Sequence, residues 1–132
     1  MPRQIIRTAD APPSPATYSQ AVKAAGLVFV SGTGPFELGT GAVMGETIQE
    51  QTRQCLTNIS AILAAAGSSL SQVVSATVIL LEEADFAGMN EEWLKWFPTD
   101  PPARPSGGEI ASAHSRHEGF HCRHRRGLSE FT

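Results

Sequence analysis

Apolar positions fall into short runs in the first third of the chain and into longer, helix-period stripes in the middle. Gln4-Ile5-Ile6-Arg7 reads as a short strand. Ala11 to Pro15 is proline-rich and predicts an extended link. Tyr18 to Lys23 and Leu27 to Ser31 are two strand-like runs split by Ala24-Ala25-Gly26, which predicts a hairpin with Gly26 taking the unusual backbone angles. Gly32 to Gly45 holds five glycines and one proline and predicts a loop, with a tight turn at Gly39-Thr40-Gly41.

The period then changes. Thr47 and Glu50 have the spacing of a capping box, in which the hydroxyl and the carboxylate each satisfy a free amide. Ile48, Cys55, Leu56, Ile59, Ile62, Leu63 and Ala66 follow on one helical stripe, and Gly67 predicts its end. Val73 to Leu81 is apolar and β-branched with little alternation, as in a covered strand. Asp85 is the expected cap of a second helix, whose inner face carries Phe86, Met89, Trp93 and Phe97 and which Pro98 stops. Trp96 is expected to pack with them. The order β, β, β, α, β, α predicts an α+β fold: a mixed sheet with two helices on one face, the helix from Thr47 closing a right-handed crossover. At least one more strand is expected after Pro101-Pro102-Ala103-Arg104.

At 132 residues the chain has room for one domain, and 41% hydrophobic residues supply one core. A net charge of −3 argues against general affinity for nucleic acid or anionic membrane. No apolar run approaches the roughly 18 residues of a membrane span, and Met1 to Pro15 lacks the apolar stretch of a secretory signal. Cys55 and Cys122 make no disulfide framework, so a reducing, cytoplasmic setting is expected.

Composition breaks near Arg104. Residues 1–104 carry six basic and ten acidic side chains, whereas 105–132 carry four basic and three acidic ones and all four histidines. The last stretch shows neither strand alternation nor a helical stripe. Its zinc-type donors, His114, His117, His121, Cys122 and His124, could ligate zinc, but they do not have the spacing of a closed structural site and no scaffold holds them. Synonymous codons exist for which residues from Pro105 onward, read one nucleotide later, give QAAAKLPVRIPGMKVSIAAIAEA and a stop beginning inside the Leu128 codon. That peptide contains the missing apolar strand, VSIAAIA, after a Pro-Gly turn. The expectation is a domain over 1–104 followed by a frameshifted tail over 105–132. The tail is expected to be poorly ordered or repacked beyond about Gly107 and to weaken or alter any assembly.

Several residues carry candidate chemistry. Arg104 follows two prolines and an alanine, and its planar fork can hold a carboxylate bidentately or sit on the surface at a strand start. Tyr18 offers a phenol hydroxyl or a half-buried aromatic edge. Ser31 and Gly32 lead from a strand into a glycine-rich loop, where a hydroxyl and an amide can meet a ligand or make a turn. Asn90 faces a cleft, solvent or a neighbouring subunit, and Phe36 lines a cleft or packs. Cys55 reads as core rather than nucleophile. Glu82-Glu83 and Glu91-Glu92 read as solvated charge pairs.

The chain resembles the RidA/YjgF family of enamine/imine deaminases over nearly all of residues 1–104. The resemblance rests on Tyr18-Ser19-Gln20-Ala21-Val22, Val30-Ser31-Gly32 and Glu50-Gln51-Thr52-Arg53-Gln54, and on Ala65-Ala66-Gly67-Ser68-Ser69-Leu70. It also rests on Asp85-Phe86-Ala87-x-x-Asn90 and Pro102-Ala103-Arg104. It implies a chorismate-mutase-like fold and a homotrimer with ligand clefts between subunits. The implied reaction hydrolyses 2-aminoacrylate-type enamines or imines to 2-keto acids and ammonia, without metal or organic cofactor. Arg104 would bind the substrate carboxylate, Tyr18 and Ser31 would serve the chemistry, and Gly32, Asn90 and Phe36 would line the cleft. The chain departs from the family at Ser106, where many members have cysteine, and in lacking the glutamate of the last strand. A non-catalytic carboxylate-binding or regulatory trimer, or an inactive variant, is the alternative.

Overall fold

A computed structural model describes residues 2–105 in full and the backbone of 109–110 and 128–131. Strands β1 (Gln4–Ile6), β2 (Ala21–Ala24) and β3 (Leu27–Val30) form one antiparallel sheet in that order. Ile5 pairs with Val22 and Val22 with Phe29, while Ile6 pairs with Ala21 and Ala21 with Val30. Side chains alternate across a strand, so these two rows lie on opposite faces. Ile6 and Ala21 are buried against the helix side, whereas Ile5 and Phe29 remain 38% and 58% exposed. The hairpin turns through Ala25 and Gly26, both with positive φ (53° and 76°), the combination that matches the natural twist of two strands. The expected turn residue Gly26 is correct, but Ala25 shares the left-handed conformation.

Helix α1 (Ile48–Ala65) begins with the reciprocal Thr47–Glu50 capping box. It ends where Gly67, at φ 78°, lets the Ser68 and Gly67 amides donate to the carbonyls of Leu63 and Ala64. Its apolar stripe serves two cores at once. Ile62 and Ala66 pack with Ile6 and Ala21 of the first sheet and with Ala11 of the link between them. Cys55, Leu56, Ile59 and Leu63 pack with β4 (Val78–Leu80) and with Met89, Trp93 and Phe97. Cys55 is thus a core residue. Helix α2 (Phe86–Trp96) lies against α1 and puts Met89 and Trp93 inside, with Trp96 half-buried beside them.

Four expectations need correction. The strand expected over Val73–Leu81 is shorter: Leu70–Gln72 form a single tight helical turn, and only Val78–Leu80 join a continuous ladder. The preceding stretch is held by one bridge, in which the Ala76 amide donates to Ala103 and the Ala103 amide to Val74. Asp85 sits at the start of α2 but its side chain makes no capping bond, because a short helical turn over Glu83–Asp85 feeds directly into the helix. Glu92 is not solvated, as described below.

The tail supplies strand backbone after Arg104, as the order of elements requires, and the last correction concerns how the strands divide. Backbone at β5 (Glu109–Ile110) runs parallel to β4, and β6 (Leu128–Phe131) runs antiparallel on its other side. The result is two three-stranded sheets, β1-β2-β3 and β5-β4-β6, rather than one continuous mixed sheet. An apolar groove of about 300 Å³ opens between β3 and residues 73–76, walled by Val28, Val30, Leu56, Ile59 and Leu63. The histidine positions, Cys122 and Ser106 lie outside the described residues, as do residues 111–127.

Candidate functional site

The site residues fall into two clusters. The first belongs to the hairpin and the loops around it. Tyr18, Ser31, Gly32 and Phe36 line one small cavity of about 70 Å³, together with Asn58 and Gln20. That volume holds one or two waters or the reacting end of a small ligand. Tyr18 and Ser31 also border a larger, open cavity of about 930 Å³ on the outer side of the first sheet. The Ser31 hydroxyl donates to the Ser19 carbonyl at 2.5 Å, and its amide donates to the Gln20 carbonyl at 3.0 Å. The hydroxyl is therefore fixed in direction, with its acceptor lone pairs remaining for a ligand or water.

Two buried amides shape this cluster. The Gln20 side chain, 5% exposed, accepts from the Thr8 amide at 2.8 Å and donates to the Pro12 carbonyl at 2.9 Å. It holds the proline-rich link against the bend that carries Tyr18, which precedes β2 rather than belonging to the strand expected from Tyr18 to Lys23. The Asn58 side chain, 3% exposed, donates to the carbonyls of Gly34 at 3.2 Å and Phe36 at 2.9 Å and accepts from Gln54 at 2.9 Å. It fixes the loop carrying Phe36. Phe36 itself is half-buried, so wall and packing are one role here. Asn58 went unread as a site residue, although a signal existed: it is a polar residue inside the apolar stripe, three after Cys55 and four before Ile62.

The second cluster is built on α2. Arg104 is half-buried, and its guanidinium lies 4.8 Å from the Trp93 ring centre and 5.8 Å from that of Phe86. One terminal nitrogen donates to the Asn90 side-chain oxygen, the other to the Met89 sulfur at 3.3 Å. Stacking on aromatic faces favours the cation. Burial works in the opposite direction and pulls the Arg104 pKa down. Among the described residues no carboxylate pairs with this side chain. The bridge between Ala103 and Val74–Ala76 sets its backbone. Arg104 and Asn90 are thus brought together, but they are not part of the wall formed by Tyr18, Ser31, Gly32 and Phe36.

Behind α2 lies an ion pair that sequence reasoning placed in solvent. Glu92 is 2% exposed and accepts from Arg53 Nε at 3.0 Å and Trp96 Nε1 at 3.1 Å, with Lys95 at 3.5 Å. Chiefly the Arg53 hydrogen bond holds its carboxyl below the usual range, against the opposing pull of burial. This group faces α1 and is structural. Among the described residues no cluster of His, Cys, Asp and Glu could hold a metal ion, and no helix is long and apolar enough to cross a membrane.

Residues 8–110 match the model of the Endoribonuclease L-PSP family. The chain belongs to this family, also called the YjgF/RidA family. It is 41% identical over 102 residues to Reactive Intermediate Deaminase A, chloroplastic, from Arabidopsis thaliana, covering 77% of this chain and 54% of that protein. It is 36% identical over 116 residues to the 2-iminobutanoate/2-iminopropanoate deaminase of Capra hircus, covering 82% and 85%. The crystal structure of yeast Mmf1 superposes with a TM-score of 0.82 at 31% identity, covering 98% and 94% of the two chains. A structure of E. coli TdcF with bound serine superposes at 0.76 with 29% identity, covering 97% and 94%. The α+β architecture with two helices is therefore shared, relatives are named deaminases, and one relative binds a small amino acid.

Proposed function

We propose that the chain hydrolyses reactive enamines or imines of 2-amino acids to 2-keto acids and ammonia. One observation carries the reading. Arg104 is a half-buried guanidinium, aligned by Asn90 and stacked on Trp93, with no carboxylate partner among the described residues. Partly burying an unpaired charge is costly, so the arrangement suits a site completed by an organic anion. Arg104 holds the substrate carboxylate bidentately and thereby fixes the imine carbon. Water adds to that carbon, a proton passes to nitrogen, and the carbon–nitrogen bond breaks to release ammonia. Ser31 Oγ and the Tyr18 hydroxyl orient the water and relay the proton, and the Gly32 amide supports the developing oxygen.

The two clusters lie apart within one chain, so the reading includes a homotrimer in which one subunit's Arg104 meets its neighbour's Tyr18 and Ser31. The exposed Leu27 and Phe29 of β3 support such an assembly, since they leave apolar surface for another copy to cover. A cytoplasmic setting is part of the proposal, although the Arabidopsis relative is chloroplastic. The test supplies freshly generated 2-aminoacrylate and measures ammonia and keto acid. Turnover that disappears in Arg104→Ala supports the reading, and turnover that survives the substitution removes it.

A non-catalytic carboxylate binder on the same scaffold is the second reading. It is favoured by Ser31, whose proton is already committed to the Ser19 carbonyl. We also propose that residues 105–132 are a frameshift product. The family match, which ends at residue 110, supports this. A chain carrying the alternative peptide after Arg104 should melt higher, since each apolar side chain it buries contributes roughly 1.5–3 kcal/mol. A restored chain that melts no higher, or a template whose codons cannot encode that peptide, removes the idea.

A further inference from the structure

We propose that the open cavity beside Tyr18 and Ser31 selects substrates carrying a second anionic group, held by Arg7 and Arg3. This rests on the deaminase reading and deepens it by naming the substrate class. Arg3, Ile5 and Arg7 occupy alternate positions along β1 and its flanks, so they share the face opposite the buried Ile6. All three border the cavity of about 930 Å³, together with Tyr18 and Ser31. Arg3 and Arg7 are exposed, and among the described residues neither forms a salt bridge.

The charge of this wall runs against that of the molecule. The chain as a whole carries −3, yet the cavity is bordered by two arginines and by no aspartate or glutamate among the described residues. The rest of its polar lining is hydroxyl and amide: Thr8, Ser14, Thr17, Ser19 and Gln20. A concave surface of one sign concentrates ligands of the other. In the assembled site a neighbour's Arg104 takes the 2-carboxylate, and Arg7 with Arg3 takes the distal carboxylate or phosphate of the same 2-imino acid.

The experiment compares kcat/KM for imines generated in place by an amino-acid oxidase from alanine, from glutamate and from a phosphorylated amino acid. The expected result is at least a tenfold preference for one or both acidic imines over the neutral one. The dicarboxylate and phosphate arms show which anion is taken. In Arg3→Gln/Arg7→Gln that ratio falls at least tenfold, and in the unsubstituted protein it falls with added salt. No preference, or a ratio that the double substitution leaves alone, overturns the proposal. If no imine is turned over at all, the deaminase reading fails separately. Titration of the same proteins with glutarate and butyrate then decides the anion site. Tighter glutarate binding that depends on Arg3 and Arg7 keeps it, and equal binding of the two acids overturns it.

Discussion

In the first sheet every strand pairs with its neighbour along the chain, whereas β4 pairs only with β5 and β6, which follow it at residues 109 and 128. The β2–β3 connection is two residues long, and the loop from β1 to β2 is clamped by a single buried glutamine. The second sheet is assembled from distant pieces over α1 and α2. The candidate site divides along the same line. Tyr18, Ser31 and Gly32 belong to the locally built half. Arg104 belongs to the half whose position depends on α2 and on the bridge to Val74–Ala76. Local pairing makes a half-site that tolerates change elsewhere, and long-range pairing makes one sensitive to its surroundings.

The strongest way to break this comparison is Trp93→Ala. Trp93 is 4% exposed, joins the larger core, lies 4.5 Å from Phe97 between ring centres, and supports Arg104. Removing a buried tryptophan costs about 3–5 kcal/mol, a large part of a typical domain's 5–15 kcal/mol. Thermal unfolding should shift downward accordingly. Hydrogen exchange should rise in α2 and β4 well before it rises in β2 and β3. Equal acceleration in both sheets would mean that they unfold as one unit.

Arg104→Ala comes next. It removes a guanidinium that has no carboxylate partner among the described residues, and loss of such a charged contact typically costs about 2–5 kcal/mol of ligand or transition-state binding. Turnover of 2-aminoacrylate should fall by at least about thirtyfold. Arg104→Lys should restore only a minor part, because an ammonium lacks the planar fork. Activity close to the parent in Arg104→Lys would point to a simple charge effect.

Glu92→Gln tests the rear support of α2. It weakens the bonds to Arg53 and Trp96, at a cost of about 1–3 kcal/mol. The parent carboxyl has its folded-state pKa held below the unfolded value of about 4.3. The native state therefore binds fewer protons than the unfolded chain near that pH. Its stabilisation is present above about pH 4 and disappears as pH falls through the folded-state value. Denaturant midpoints measured from pH 6 downward should converge between the parent and Glu92→Gln. A constant gap would show that the carboxyl titrates alike in the folded and unfolded states.

How much was legible follows the same division. The hairpin, the capping box at Thr47 and Glu50, the stop at Gly67 and the stripe of α2 are local patterns, and the structure has all of them. The length of β4 was not legible, because a ladder extends only as far as its partner does, and that partner lies far along the chain. Glu92 was misread for a related reason. Its neighbour Glu91 is exposed, and only the crossing of α2 over α1 brings Arg53, 39 residues earlier, within reach. Tyr18, Ser31, Gly32 and Phe36 were singled out through the family resemblance and border one cavity, whereas nothing in the spacing announced that Asn90 would meet Arg104. The separation of the two groups is a matter of tertiary placement that spacing does not carry.

The smallest expected effect sharpens the comparison from the other side. Ala25 holds φ at 53°, a conformation that costs a residue with a Cβ about 1–2 kcal/mol. Gly26 already occupies the second turn position without that cost, at φ 76°. Asparagine tolerates the left-handed region, and Asn-Gly is the preferred pair for this two-residue turn. Ala25→Asn should therefore raise the denaturant midpoint by the equivalent of about 0.5–1 kcal/mol. Because the turn joins β2 to β3 within the first sheet, local protection should increase for Ala21–Ala24 and Leu27–Val30 beyond any global gain. Val78–Leu80 should follow the global change alone. A midpoint that falls, or protection that rises first at β4, would show that the hairpin is shaped by contacts from outside rather than by its own turn.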